Sequence, residues 1–136
     1  MTEQHIKDLE DPAAAVRYKA AYALGKIGKQ AAPAMPALTE ALGDADSDVR
    51  CQAAWALGMI GEQAAPAVPA LTKALEDPNA DVRYEAARAL GMIGEQAAPA
   101  VPALTKALED PAAAVRYWTA YALGKIGNGD KNVPLQ

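Results

Sequence analysis

The sequence predicts an all-α fold, a solenoid of four helix–turn–helix units. Three observations predict it. The stretch Val16–Gly28, Val-Arg-Tyr-Lys-Ala-Ala-Tyr-Ala-Leu-Gly-Lys-Ile-Gly, returns at Val49–Gly61, Val82–Gly94 and Val115–Gly127, each time 33 residues on. A fixed period of that size marks a stacked repeat array. The stretch also has the period of a helix: at about 100° per residue, Val16, Ala20, Ala23, Leu24 and Ile27 share one apolar arc, with Tyr18 and Tyr22 nearly opposite. Finally, no segment alternates polar and apolar residues, and β-branched residues are few, so strands are not expected.

Residues 1–10 read as a shortened first helix. Ile6 and Leu9 face inward while Glu3, Gln4, Lys7 and Asp8 face water, which suits a polar cap on the end of a stack. The main helix of each unit, helix B, is announced by Asp11-Pro12, Asp77-Pro78 and Asp110-Pro111, with Asp44-Ala45 in the second unit. Asp accepts bonds from the free N–H groups of a first turn, and Pro fits the first helical position. Gly28, Gly61, Gly94 and Gly127 stop the helix, as glycines suited to the left-handed position that follows one. Gly25, Gly58, Gly91 and Gly124 lie inside it, where Gly costs about 1 kcal/mol against Ala. A cost repeated in every unit implies close approach of a neighbouring helix.

Between the B helices runs a second repeated stretch, at 30–42, 63–75 and 96–108. Pro36, Pro69 and Pro102 begin a short helix A. Its Leu38 and Leu42, Leu71 and Leu75, and Leu104 and Leu108 point inward. Pro33, Pro66 and Pro99 belong to the turn before it or to a bent first turn, since Pro is poorly tolerated deeper in a helix. The chain thus reads as one domain over 1–136: a half-cap with the first B helix at 1–28, units at 29–61, 62–94 and 95–127, and a tail at 128–136. The last B helix has no following helix A. Val115, Leu123 and Ile126 should then depend on the tail or on a second molecule, and a homodimer through that end is expected.

Composition narrows the function. The apolar share is 51%, yet there is no Phe and much Ala, so the core must be spread over many small contacts, as in a solenoid. A net charge of −4 speaks against a nucleic-acid partner, which calls for a basic stripe. The lone cysteine, Cys51, allows no internal disulfide and fits a reducing, cytoplasmic setting. No run of about 18 apolar residues exists, so no membrane partner is expected. The copies are close: Met59–Pro78 and Met92–Pro111 are identical, and Leu9–Gly28 differs from Leu108–Gly127 only at Lys19/Trp118 and Ala20/Thr119. Recent duplication or deliberate construction would produce such copies.

The Thr-Pro-Leu-His signature of ankyrin and the Trp and Tyr spacing of tetratricopeptide units are absent. The run Pro-Ala-Leu-Thr-Lys-Ala-Leu-Glu-Asp-Pro (69–78), then Asp-Val-Arg-Tyr-Glu-Ala-Ala-Arg-Ala-Leu-Gly-Met-Ile-Gly (81–94), resembles the short HEAT-like repeat of phycobilisome-lyase type. The Val-Arg, Ala-Leu-Gly and Ile-Gly elements recur in all four units. The resemblance implies a right-handed α-solenoid with A helices on the convex side and B helices lining the concave side. It also implies its range of functions: adaptors, subunits of bilin-attaching lyases, antenna degradation factors and scaffolds for engineered binders. The repeat carries the fold, not any one of these jobs.

The chain has five Tyr and two Trp, all on B helices. Tyr18, Cys51, Tyr84 and Tyr117 form one outer column. Tyr22, Trp55, Arg88 and Tyr121 form a second, and Lys19, Gln52, Glu85 and Trp118 a third. Lys26, Met59, Met92 and Lys125 extend the face. Tyr, Trp, Met and Arg are enriched at the centres of protein interfaces, so this face is the candidate protein- or peptide-binding site. The competing reading is that the rings merely fill space between B helices. With neighbouring helices about 8–10 Å apart, the groove would be about 30 Å long and hold about nine extended residues.

Arg17, Arg50, Arg83 and Arg116 repeat without variation. They could form a basic ladder for an acidic ligand. Strict repetition favours bonds to Asp11, Asp44, Asp77 and Asp110 that tie turn to helix and unit to unit. Cys51 reads as a reactive thiol or, as single cysteines more often are, a small packing side chain. His5 is the only histidine and cannot form a metal site or a triad alone; the His-Glu pairs of iron-binding HEAT-like enzymes are missing. Glu85 and Arg88, three apart, read as a surface ion pair. The expectation is a protein without catalysis, cofactor or metal, a scaffold for a protein or peptide. The alternatives are an accessory subunit of a bilin lyase and an engineered scaffold.

Overall fold

A computed structural model describes residues 2–127; the predicted tail at 128–136 lies outside them. The A helices are α1 (Thr2–Asp8), α3 (Met35–Ala41), α5 (Val68–Ala74) and α7 (Val101–Ala107). The B helices are α2 (Ala14–Ile27), α4 (Ser47–Ile60), α6 (Ala80–Ile93) and α8 (Ala113–Gly127). Pro36, Pro69 and Pro102 stand in the first turn of their A helices. Pro33, Pro66 and Pro99 lie in 3-10 segments, Gly28–Ala34, Gly61–Ala67 and Gly94–Ala100, that lead from B to A. No strand occurs among the described residues.

The Asp-Pro pairs do not cap the B helices. Those helices begin two residues later, and the caps of α4 and α6 are Asp46 and Asn79. Asp46 Oδ1 accepts from the N–H of Asp48 at 2.8 Å, and Asn79 Oδ1 from the N–H of Asp81 at 2.8 Å. Asp11, Asp44, Asp77 and Asp110 instead close the preceding turn, each accepting the N–H two residues on at 2.8–2.9 Å. An Asp side chain mimics a backbone turn in this way. It leaves the second carboxylate oxygen free for another partner.

That partner is an arginine of the preceding unit. Arg17 Nε lies 2.8 Å from Asp44, Arg50 Nε 2.8 Å from Asp77 and Arg83 Nε 2.8 Å from Asp110. In each case Nη2 makes a second bond to the same carboxylate, at 3.1 Å. Nη1 turns back to the carbonyls of its own turn, 2.8 Å to Asp11 O and 2.9 Å to Asp44 O and Asp77 O. One guanidinium therefore fixes its own turn and grips the next, the structural role expected for the ladder.

The B helices pack directly on their neighbours, α2 on α4, α4 on α6 and α6 on α8. Each of α3, α5 and α7 packs on the B helix that follows it, and these short helices make little contact with one another. Leu24, Leu57 and Leu90 of the B helices, and Leu38, Leu71 and Leu104 of the A helices, are fully buried. Burying a Leu stabilises by about 1.5–3 kcal/mol, so these two rows carry much of the core. Ala21, Ala54 and Ala87 are also fully buried, and their small side chains let adjacent B helices approach.

Three further expectations are corrected. Gly28, Gly61 and Gly94 have positive φ (74°, 82° and 84°), but ψ near −140° places them outside the left-handed helical region. That combination is essentially restricted to Gly, and it swings the chain sharply into the 3-10 segment. Gly127 lies within α8 and is not among them. Leu108, expected inside, is 39% exposed, whereas Leu42 and Leu75 are 8% and 5% exposed. Val115 and Ile126, expected to need cover, are buried at 0% and 5%, and Leu123 is half-buried. The reason is register: positions 115 and 126 face the preceding unit, so the last helix already has their partner.

Candidate functional site

All sixteen candidate residues lie on α2, α4, α6 and α8, but they do not form one uniform face. The internal glycines decide where the rings sit. A Cβ on Gly25 would fall inside the Trp55 indole, and one on Gly91 would lie 2.7 Å from Tyr121 Cε2 and 2.9 Å from Ala122 Cα. A Cβ on Gly58 would lie 3.0 Å from Ala89 Cα and 3.4 Å from the Met92 sulfur. Each glycine is thus a floor for the next unit's helix, the close approach that its position predicted. Trp55 and Tyr121 are half-buried, with one ring edge over that floor.

Around these anchors the rings make two groups. In the first, Tyr22 stacks on Trp55 at 5.6 Å and 13°, and the Lys26 ammonium lies 5.8 Å from the Tyr22 ring centre. Gln52 Nε2 donates to Tyr18 Oη at 3.4 Å, and Lys19 is exposed beside it. In the second, Trp118 meets Tyr117 edge-on at 5.1 Å and Tyr121 at 5.2 Å. The Arg88 guanidinium lies 5.3 Å from the Trp118 ring centre, and Lys125 5.8 Å from that of Tyr121. Cations over ring faces are attracted by the ring quadrupole. Tyr22 and Tyr117 remain the most open rings, at 46% and 66% exposed.

Between the groups the face changes character. Glu85 is only 9% exposed, and Arg88 reaches it at 3.5 Å, so the expected surface ion pair is half-buried. Burial pushes the Glu85 carboxyl above the usual glutamate range, and Arg88 offsets this only in part. Burial, then the negative charge of Glu85, raises the Tyr84 hydroxyl. Cys51 points its sulfur at the Asp81 carbonyl, 3.8 Å away. Burial first, then Glu85 and Asp81, push its thiol up to about 12. A thiol held protonated at neutral pH is a poor nucleophile, so Cys51 packs rather than reacts. Met59 and Met92 are half-buried.

The C-terminal ends of the B helices open onto a cleft of about 600 Å³ lined by Met92, Tyr121 and Lys125 together with Glu62, Glu95 and Gln96. The last three are not among the sixteen candidates drawn from the sequence. The repeated Gly-Glu-Gln at 61–63 and 94–96 was the available signal. No group of three or more His, Cys, Asp or Glu placed to hold a metal occurs among the described residues. No helix there is long and apolar enough to cross a membrane.

Overlapping matches to HEAT repeats run over residues 3–68, 35–101 and 68–135. The chain belongs to the HEAT-repeat family. Among curated proteins none matches this HEAT-repeat chain. Among solved structures it is similar to an engineered protein, with TM-score 0.80 and 30% identity over 94% of this chain and 63% of that one. It is also similar to the complex of CpcE and CpcF of phycocyanin lyase from Nostoc sp., with TM-score 0.77 and 32% identity over 96% and 55%. Human deoxyhypusine hydroxylase in complex with glycerol gives TM-score 0.74 and 31% identity over 94% and 44%. The HEAT-repeat chain therefore spans between 44% and 63% of the length of these structures.

Proposed function

We propose that this HEAT-repeat protein is a non-catalytic cytoplasmic scaffold that holds a protein segment or peptide along the face of its B helices. The observation that carries the reading is the pair of open rings, Tyr22 and Tyr117, each continued inward by a half-buried tryptophan. Rings anchored below and open above lose little entropy when a ligand stacks on them. The candidate residues carry four cations, Lys19, Lys26, Arg88 and Lys125, against one carboxylate, Glu85, so a segment with apolar and acidic side chains fits best. The similarity to one chain of a two-protein lyase complex supports a protein partner. The only histidine, His5, stands on α1 rather than on a B helix, which supports the non-catalytic reading.

The test is selection of peptides from a random display library on the immobilised chain, followed by titration against Tyr22→Ala/Tyr117→Ala. Both rings are open, so the double variant keeps its fold. The expected result is at least a tenfold loss of affinity, about 1.4 kcal/mol. Equal binding to parent and variant would place the ligand elsewhere and end the proposal.

A second reading is an accessory subunit of a bilin lyase, favoured by the same lyase similarity. Bilin absorbance that does not change on mixing with the chain would count against it. A third, an engineered scaffold without a natural partner, is favoured by the identical stretches 59–78 and 92–111 and by the similarity to an engineered protein.

A further inference from the structure

The two ends of the array show the two halves of its internal interface. At the N-terminal end Val16, Ala23 and Ile27 are half-buried, while their counterparts Val49, Ala56 and Ile60 are fully buried against the preceding unit. At the C-terminal end Ala120 is exposed, while Ala21, Ala54 and Ala87 are fully buried against the following unit. Among the described residues a Cβ on Gly124 would meet nothing within 4 Å, whereas Gly25, Gly58 and Gly91 each carry the next helix. The residues match as well as the shapes. Val16, Ala23 and Ile27 of α2 repeat Val115, Ala122 and Ile126, the side chains that α8 lays on α6. Ala120 and Gly124 of α8 repeat Ala87 and Gly91, the surface that α6 offers to α8.

The charges are matched in the same register. Arg17, Arg50 and Arg83 each grip an aspartate 27 positions on. Among the described residues Arg116 makes only carbonyl bonds, 2.6 Å to Asp110 O and 3.1 Å to Pro111 O. Asp11 occupies the ladder position of Asp44 and accepts the N–H of Ala13 at 2.9 Å, and among the described residues no guanidinium bonds its side-chain carboxylate. One end thus carries the cation of the ladder and the other its carboxylate.

We infer that copies of this protein stack head to tail, α8 of one on α2 of the next, with Arg116 bonded to Asp11 of the next copy. Ala23 and Tyr22 of the incoming copy then sit over Gly124 as Ala122 and Tyr121 sit over Gly91. The contact joins unlike surfaces, so it does not close on itself as a two-fold dimer does, and it extends into open chains. It does not rest on the peptide-binding reading, but the two share Tyr22, whose ring is partly covered in the stack as Tyr121 is over Gly91.

Sedimentation of the parent and of two blocked variants tests this. Ala120→Glu puts a charge on the exposed C-terminal face, and Ala23→Glu does so on the N-terminal face. The parent's average mass should rise continuously with concentration, beyond a dimer. Each variant alone should be a monomer. An equal mixture of the two should give a discrete dimer, because each still has the face the other lacks. A parent that stays monomeric, or an Ala23→Glu variant that still dimerises through its C-terminal face, overturns the inference. Circular dichroism of both variants confirms that they remain folded.

Discussion

Gly25 lies directly beneath the indole of Trp55, so that a methyl group at position 25 would occupy the ring. This relationship sets the spacing of the first two B helices, and it is restated as Tyr121 over Gly91. The glycines cost helix stability so that neighbouring helices can come close.

Substitution at Gly25, Gly91 and Gly124, three of the four internal glycines, should therefore change sign along the chain. Gly91→Ala would press on the Ala122 backbone as well as on the Tyr121 ring, and should cost the most, about 2–3 kcal/mol of overpacking. Gly25→Ala meets only a ring and should cost somewhat less. Gly124→Ala meets nothing within 4 Å among the described residues and should gain about 0.5–1 kcal/mol from helix propensity. Urea unfolding of dilute protein measures all three. A gain at Gly91 would show that the close approach is not rigid.

The ladder makes a prediction about shape as much as charge. Arg50 bonds Asp77 through Nε and Nη2 and Asp44 O through Nη1. A lysine keeps the charge but cannot reproduce this fork. Arg50→Lys should cost about 1–2 kcal/mol, discounted for the partial exposure of the pair. If urea unfolding finds Arg50→Lys neutral, charge alone maintains the ladder.

Thr119 replaces the Ala found at positions 20, 53 and 86, is fully buried, and its hydroxyl finds no partner among the described residues. An unsatisfied buried hydroxyl costs about 1–3 kcal/mol. Thr119→Val keeps the volume and removes the oxygen, and should raise stability by about 1 kcal/mol in thermal or urea unfolding. A loss instead would mean that the oxygen has a partner such as a bound water.

Stability should respond to pH in two opposite ways. Glu85 is held above the usual glutamate range, chiefly by burial. The folded state then binds its proton more tightly than the unfolded state, so this stability is present at low pH and is lost as pH rises through the raised value. For Asp44 and Asp110, burial alone would raise the carboxyls. Hydrogen bonds from Arg17 and Arg83, with the N–H of Asp46 and Ala112, outweigh it and hold them low. Their stability is present above the usual aspartate range and is lost as pH falls through the lowered values. Glu85→Gln should therefore reduce the loss of stability between about pH 4.5 and neutrality, and leave the acid limb unchanged. Urea midpoints across pH would show it; parallel parent and variant curves above pH ~4.5 would mean that Glu85 does not titrate there.

What the sequence determined by itself is the unit. The 33-residue period, the helical arc of Val16–Gly28, the prolines of the A helices and the glycines of the B helices are local signals, and local signals fix helices and turns. The arginine ladder and the close approach at Gly25, Gly58 and Gly91 were also legible, because a residue repeated without variation points to an environment repeated between one unit and the next. Only the tertiary structure decided how the units sit on one another. It put Trp55 and Tyr121 partly under cover and left Tyr22 and Tyr117 open, although all four occupy outer positions on the same helical wheel. It buried Glu85 and silenced the Cys51 thiol, and it moved the weak point at the last unit from Val115 to Leu108. The physical reason is that a helical wheel sorts side chains by direction within one helix. Burial is set by whether a neighbouring helix stands in that direction, and that depends on residues 27 to 33 positions away.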